Sequence, residues 1–427
     1  MAQLGVVPRW PAPPSWYPGH MKQFTRMLPA LLSKTDVVLE LRDSRLPLTS
    51  VNPTFEDAMR KWRFDRQRFS DSFQIALRER APSPGYFSPV CKRIVVMTKR
   101  DLVPDWGIEP FRRAMANVLP DQELVFASWK NPKDIKHLHK MIVNIAKEHA
   151  ELAPELNVLV VGMPNVGKST LLNALRNMGI RGPTPKALRT SAHPGLTRVL
   201  STRLKLSQDP LVYSFDSPGI MLPFLGKGEL GAERGIKLAL IAGIREGLYD
   251  EEALASYLLF RLNLLNPSSP AYLSILPPRT PPTDDLTTFI DSLAQRLGML
   301  RRGGERDHAR AIRWFIHWWR EKGCIESAVA PTATTSTMAI LPPTAEQVGG
   351  WGFDFAWRIR RGERTMGLST EQLIQMEMER TISAYMQLAD VEREAGEVSV
   401  TQEKKRAKAA LQAKRASRLK ARSKERF

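Results

Sequence analysis

Gly162-Met163-Pro164-Asn165-Val166-Gly167-Lys168-Ser169-Thr170 is the stretch that decides the fold of this 427-residue chain. It satisfies G-x-x-x-x-G-K-[ST], with a strand-like apolar run at 157–161 before it and a helix-like run at 171–175 after it. In that setting the backbone N–H groups of the turn wrap the β-phosphate of a nucleotide, and the helix N-terminus adds positive potential. Lys168 is expected on the β- and γ-phosphates and the Ser169 hydroxyl on Mg²⁺. Pro164, Asn165, Val166, Gly167 and Thr170 complete the cradle. A chance occurrence of the pattern is the competing reading, and the flanking strand and helix argue against it.

Four further elements separate a GTP-binding protein from other users of this loop. Downstream, Pro194-Gly195-Leu196-Thr197 supplies a threonine to close on Mg²⁺ and the γ-phosphate. The apolar run 212–215 then ends in Asp216-Ser217-Pro218-Gly219, where the aspartate is expected to hold Mg²⁺ through water and Gly219 to donate its N–H to the γ-phosphate. Asp-x-x-Gly alone is a weak signal, because turns favour those residues; directly after a strand and some 50 residues past a phosphate loop it gains weight.

No Asn-Lys-x-Asp follows residue 220. Upstream, however, the apolar run 93–97 ends in Thr98-Lys99-Arg100-Asp101. The Asp101 carboxylate can accept from both guanine N1–H and the 2-amino group, a pair adenine lacks, and an unmet carboxylate costs about 1–3 kcal/mol. Lys99 is expected to cover the base with its alkyl stem, and a short strand at 124–127 leads to Ser128, a second guanine-contacting position.

The order is base-reading, phosphate loop, switches. Residue by residue this resembles the circularly permuted GTPases that assist ribosome assembly. Trp16-Tyr-Pro-Gly-His-Met21, Asp43-Ser-Arg-Leu-Pro47 with Asn52-Pro53, and Arg302-Gly-Gly-Glu-Arg-Asp307 with Ala311 resemble further signatures of that family. Arg26-Met-Leu-Pro29 and Val38-Leu-Glu-Leu-Arg-Asp43 look most like its mitochondrial branch. The resemblance runs over about residues 16–325, apart from a stretch near 56–90. It implies GTP and GDP as ligands, the large subunit of the mitochondrial ribosome and its rRNA as partner, and a mitochondrial location, in the matrix or peripherally on the inner membrane.

Two positions depart from the family pattern. Thr98 replaces the asparagine that ties the base-reading loop to the phosphate loop, which predicts weaker guanine affinity with specificity left to Asp101. Ile220 stands where Ras-like proteins carry the water-orienting glutamine, and an apolar side chain cannot hold water. The resemblance therefore implies two replacements. His20 would position the attacking water, and Asn165 would help bind K⁺, which neutralises charge at the β–γ bridge. Read from the residues alone, His20 is a surface or hydrogen-bonded histidine and Asn165 a stabiliser of its own turn. Thr197 and Gly219 complete the expected catalytic set.

Composition bounds the rest. Lys and Arg number 63 against 44 acids, a net charge of +19, and the last 25 residues alone carry eleven basic and two acidic side chains. Beside a ribosome-type GTPase this basic tail suggests RNA. Its other readings are a solvated tail or, for a membrane-associated regulatory GTPase acting on a protein partner, an anionic lipid surface. A non-catalytic RNA scaffold with structural GTP is the third class. No apolar run reaches the roughly 18 residues of a membrane span. Cys91 and Cys324 are too few for a zinc cluster or a disulfide framework and read as buried apolar residues. The N-terminus is basic up to Asp36 but proline-rich, so an ordinary amphipathic presequence is not expected there.

The expected architecture is α/β: a short N-terminal segment (1–15) and a permuted P-loop GTPase domain with a mostly parallel sheet (16–225). Within that domain, 56–90 reads as a charged surface insertion. An α-helical domain (226–327), a flexible linker (328–350), a helical extension (351–400) and a basic, partly disordered tail (401–427) follow. Apolar periodicity predicts helices over 229–248, 252–265 and 307–319, with Trp314, Phe315, Trp318 and Trp319 as bundle core or, alternatively, as RNA-stacking residues.

Overall fold

In the computed structural model, residues 10–13, 19–79, 90–120, 122–151, 154–182, 188, 203–217, 219, 225–226, 228–322, 346–360, 369–394 and 408 are described. The six main strands are β1 (Val37–Asp43), β2 (Lys92–Thr98), β3 (Glu123–Phe126), β4 (Glu155–Gly162), β5 (Leu204–Ser207) and β6 (Leu211–Asp216). They form one sheet in the order β3-β2-β1-β4-β6-β5. Every pairing is parallel except β5 with β6. Parallel pairing brings the C-terminal ends of β1, β2, β3, β4 and β6 to one edge, and these are the ends that carry the motifs. The chain starts at β1, builds outward to β3, then returns to β4 on the other flank of β1. The crevice at such a reversal is where open α/β sheets bind ligands.

β1 is buried along its whole length. Its alternate residues serve two faces: Val37, Leu39 and Leu41 join one core, and Val38 joins another with Leu159 and Val161. Glu40 and Arg42 share the second face with Arg93 and Glu56. Arg42 Nε donates to Glu40 at 2.7 Å and Arg42 Nη2 to Glu56 at 2.9 Å, while Arg93 Nη1 reaches Glu56 at 2.8 Å. Burial disfavours the Glu40 charge, yet Arg42 and Arg93 pull its pKa down to about 2. Buried charges persist where they are paired in this way.

Helices α1 (Gly19–Leu32) and α2 (Pro53–Glu79) cover that face through Phe24, Leu28, Phe55, Met59 and Trp62. Of the stretch expected as a surface insertion, Met59 and Trp62 are therefore core, while Arg60 and Lys61 stay exposed. The charged run misleads because Glu56 faces inward onto two arginines. Residues 80–89 lie outside the described residues.

The opposite face packs α4 (Pro132–Glu148) and α5 (Lys168–Gly179), and its core runs without a break into a helical region. That region contains α6 (Gly228–Leu240), α7 (Glu251–Leu265), α8 (Leu286–Arg296) and α9 (His308–Lys322). α6 stops short of 248 because Ala242 turns left-handed (φ 56°) and the Gly243 N–H returns to the Leu238 carbonyl at 2.8 Å. Phe315, Trp318 and Trp319 are buried and Trp314 half-buried, which fits bundle core and not base stacking.

A hairpin, β7 (Glu346–Trp351) and β8 (Phe355–Arg360), precedes a long helix over Thr370–Glu394 that packs on α3 (Ile108–Val118). It differs from the all-helical extension expected over 351–400. Aromatics at 351, 353, 355 and 357 recur with the period of a strand, a signal overshadowed by the amphipathic run after 370. Trp351 stacks on Phe111 at 5.2 Å between centroids and donates to the Pro104 carbonyl at 2.9 Å. Asp354 accepts from the Leu48 and Thr49 amides, both at 2.8 Å, and lies 3.2 Å from Lys237. The hairpin thus pins the sheet domain to the helical region. Cys91 is half-buried, and burial pushes its thiol up to about 11; Cys324, most of the linker and all of the basic tail except Lys408 lie outside the described residues.

Candidate functional site

β4 delivers the phosphate loop and α5 begins at Lys168. Gly167 is left-handed (φ 95°), and a Cβ there would collide with the Trp129 indole, so only glycine fits. Asn165 is left-handed as well (φ 60°), a conformation asparagine tolerates better than most residues. The Lys168 ammonium is buried inside the turn and donates to the carbonyls of Met163 (2.9 Å) and Gly162 (3.1 Å). It is poised where phosphate oxygens would lie. Pro164 and Val166 are buried, Ser169 half-buried and Thr170 exposed.

The end of β6 lies beside this loop, with Asp216 in register with Val160. The Ser217 hydroxyl donates to the Val160 carbonyl at 2.8 Å. Gly219 is buried against the loop: a Cβ there would sit 2.7 Å from the Pro164 nitrogen. Ser169 at the start of α5 carries a hard oxygen donor of the kind Mg²⁺ takes, and the backbone of Asp216 ends the neighbouring strand β6. The Asp216 side chain, Thr197 and Ile220 lie outside the described residues.

The residues expected to read the base stand at and just beyond the ends of β2 and β3. Thr98 is buried and its hydroxyl donates to the Arg42 carbonyl at 3.1 Å. The threonine thus ties its loop to β1 where an asparagine was expected to tie it to the phosphate loop. Lys99 is left-handed (φ 56°), and its ammonium reaches Asp43 at 2.9 Å. Asp101 pairs with Lys130 at 2.8 Å. Burial disfavours its charge, but hydrogen bonds from Lys130 and Ser128 hold its carboxyl below the ordinary aspartate range, so the acceptor stays ionised. The Ser128 amide donates to Asp134 in the first turn of α4 at 2.9 Å.

Sequence reasoning missed two participants. Asp43 was read only as part of a signature, yet it anchors Lys99. Trp129 was passed over, although its indole lies against Gly167 and its buried N–H has no hydrogen-bond partner among the described residues. Its place next to Ser128 was the available signal. His20 is the second residue of α1, and its side chain lies outside the described set; Trp16, Tyr17 and Pro18 do as well.

Both halves of the site connect to the helical region. The Asn165 amide donates to the Ala242 carbonyl, just past α6, at 2.6 Å. Arg320 near the end of α9 donates to the carbonyls of Leu240 (2.7 Å) and Ala239 (3.1 Å). On the base side, the Arg45 guanidinium lies 4.5 Å over the Trp319 ring and binds Asp43 at 2.8 Å.

The phosphate-loop motif, Thr98–Asp101 and Asp216 share one edge of a mostly parallel sheet, with Thr98–Asp101 first in the chain. That arrangement defines a circularly permuted P-loop GTPase. Residues 157–257 match the family described as 50S ribosome-binding GTPase. Mitochondrial GTPase 1 of Schizosaccharomyces japonicus is 33% identical over 309 residues, covering 68% of this chain and 82% of that protein. Mitochondrial ribosome-associated GTPase 1 of Xenopus tropicalis is 30% identical over 254 residues, covering 58% and 70%. GNP-bound YlqF from T. maritima aligns over 70% of this chain and 94% of its own at 17% identity, with a TM-score of 0.40. The chain belongs to the mitochondrial GTPase 1 family and is a GTPase.

Proposed function

We propose that this GTPase acts in mitochondria on the large ribosomal subunit, binds its rRNA, and couples the state of its nucleotide to a maturation step or to its own release. The observation that carries the reading is its likeness to relatives named mitochondrial ribosome-associated GTPase 1. The basic C-terminal tail supports it, since clustered Lys and Arg suit a phosphate backbone. Among the described residues no helix is long and apolar enough to cross a membrane.

In this reading Asp101 selects guanine and Ser128 holds that carboxylate in place. Lys99 covers the base, and Lys168 leaves the Gly162 and Met163 carbonyls for the β- and γ-phosphates. Mg²⁺ would be held by Ser169, Asp216 and Thr197, and once bound would neutralise charge developing on the phosphates. Gly219 donates its N–H to the γ-phosphate, and His20 orients the attacking water in the role Ile220 cannot fill. Asn165, whose amide donates to the Ala242 carbonyl, is the residue that would help bind K⁺. Loss of the γ-phosphate would shift the Gly219 and Asn165 contacts, and Ala242 and Arg320 carry that shift into α6 and α9.

The test is single-turnover GTP hydrolysis with purified mitochondrial large subunits. Stimulation by the subunits, lost in His20→Ala with GTP affinity intact, is the expected result. Equal rates with and without subunits would remove the coupling.

A further inference from the structure

The solvent face of α4 carries Lys133, Lys136, Lys140 and Lys147, all exposed. At about 100° per residue these four fall within roughly 60° of the helix circumference and span about 21 Å of its length. His137 and Asn144 are exposed on the same face, and no acid interrupts it; Glu148 stands at its rim. Among the described residues none of the four lysines is ion-paired, whereas Arg112 and Arg113 of α3 are met by Glu109, and Arg313 of α9 by Glu251. The single acid of the first turn, Asp134, is turned away onto Ser128 and Arg100.

A row of unpaired ammonium groups costs stability through mutual repulsion unless something compensates it. Packing does not require the row, because α4 is already anchored by Ile135, Leu138, Ile142 and Ile145 in the core. We propose that this face docks the phosphodiester backbone of structured RNA. The proposal rests on the ribosomal reading above and gives it a contact surface distinct from the C-terminal tail. RNA fits better than a lipid surface, because the apolar side of α4 is spent on the protein core and its exposed face offers no large apolar residue to enter acyl chains. Lysines act as point charges on phosphate and carry no base preference, so the contact reads backbone and not sequence. It also lies next to the base-reading loop, since α4 starts at Pro132 and its first turn holds the Ser128 amide.

The test compares the full chain, a chain lacking 401–427, and the variant Lys133→Glu/Lys136→Glu/Lys140→Glu/Lys147→Glu. Each is titrated with an in vitro transcript of a large-subunit rRNA domain across a salt series, and with vesicles containing phosphatidylserine. The quadruple variant is expected to bind the transcript at least tenfold more weakly and to lower the slope of log affinity against log salt by about 3. Its basal GTP turnover and melting temperature should match wild type, and the matching Lys→Gln variant should show an intermediate loss. Wild-type affinity and slope in the quadruple variant would overturn the proposal while leaving the ribosomal reading standing. A wild-type chain that ignores the transcript would overturn both. A loss confined to the vesicles would assign the face to lipid.

Discussion

The Lys99 ammonium lies 2.9 Å from Oδ2 of Asp43, bridging the tops of two parallel strands in which Asp43 stands opposite Thr98. Asp43 is fully buried, and it also accepts from Arg45 Nη2 at 2.8 Å. Burial opposes its charge, but Arg45 and Lys99 hold its carboxyl well below the usual aspartate range. The stem expected over guanine is therefore fixed at its far end by a buried anion. Replacing Lys99 with Met keeps the stem and removes the anchor, and should weaken GDP binding by about tenfold, near 1.4 kcal/mol, with little change in melting temperature. Asp43→Asn strands Arg45 in the interior and should cost about 3–5 kcal/mol of stability. Urea unfolding beside fluorescent GDP titration separates the two effects.

Asp101 should decide which base is bound. An asparagine there replaces one acceptor by a donor, so guanine loses a partner and xanthine, with a carbonyl at C2, gains one. Asp101→Asn is expected to lower GTP affinity by at least tenfold, a cost of about 1–3 kcal/mol, and to raise affinity for xanthosine triphosphate. Competition titration with both nucleotides reads the switch, and an unchanged preference would remove Asp101 from base recognition.

Gly219→Ala places a methyl 2.7 Å from the Pro164 nitrogen. Backbone cannot yield as a flexible side chain would, so either the phosphate loop or the switch must move. GTP turnover should fall by about tenfold or more while GDP affinity changes less, because the expected Gly219 contact is to the γ-phosphate. Stopped-flow binding of each nucleotide checks the distinction.

Acid should loosen the sheet through Glu40. Its pKa is depressed from 4.5 to about 2, so the folded state gains from its ionisation above pH 4.5 and loses that gain as pH falls from 4.5 toward 2. Glu40→Gln should flatten the dependence of stability on pH across that window, at the price of a lower plateau at neutral pH. Chemical denaturation from pH 3 to pH 7 measures both.

Asp354 is the pin between the C-terminal hairpin and the sheet domain, accepting two amides and the Thr49 hydroxyl at 2.6 Å. Asp354→Ala leaves those donors and Lys237 without it and should cost about 2–4 kcal/mol. A melting curve that splits into two transitions would show the hairpin's role in joining the two regions. An unchanged single transition would deny it.

The nucleotide chemistry was legible from sequence because its motifs are contiguous and local. A phosphate loop needs only a strand, a glycine-bearing turn and a helix, and residues 157–175 spell all three. The order of Thr98–Asp101 before Gly162 was likewise fixed by the chain itself, and with it the permuted topology. What tertiary structure decided was the wiring. Thr98 finds its tether on β1, Lys99 its anchor in Asp43, Arg45 its ring in Trp319, and Asp354 its donors at residues 48 and 49. None of these pairs is near in sequence apart from a shared fold, and Glu56 shows the cost of reading charge locally, since it looked solvated and lies against Arg42 and Arg93. Local backbone preference writes itself into neighbouring residues. The partner of a buried charge is chosen only when packing excludes water and leaves one oppositely charged group within reach.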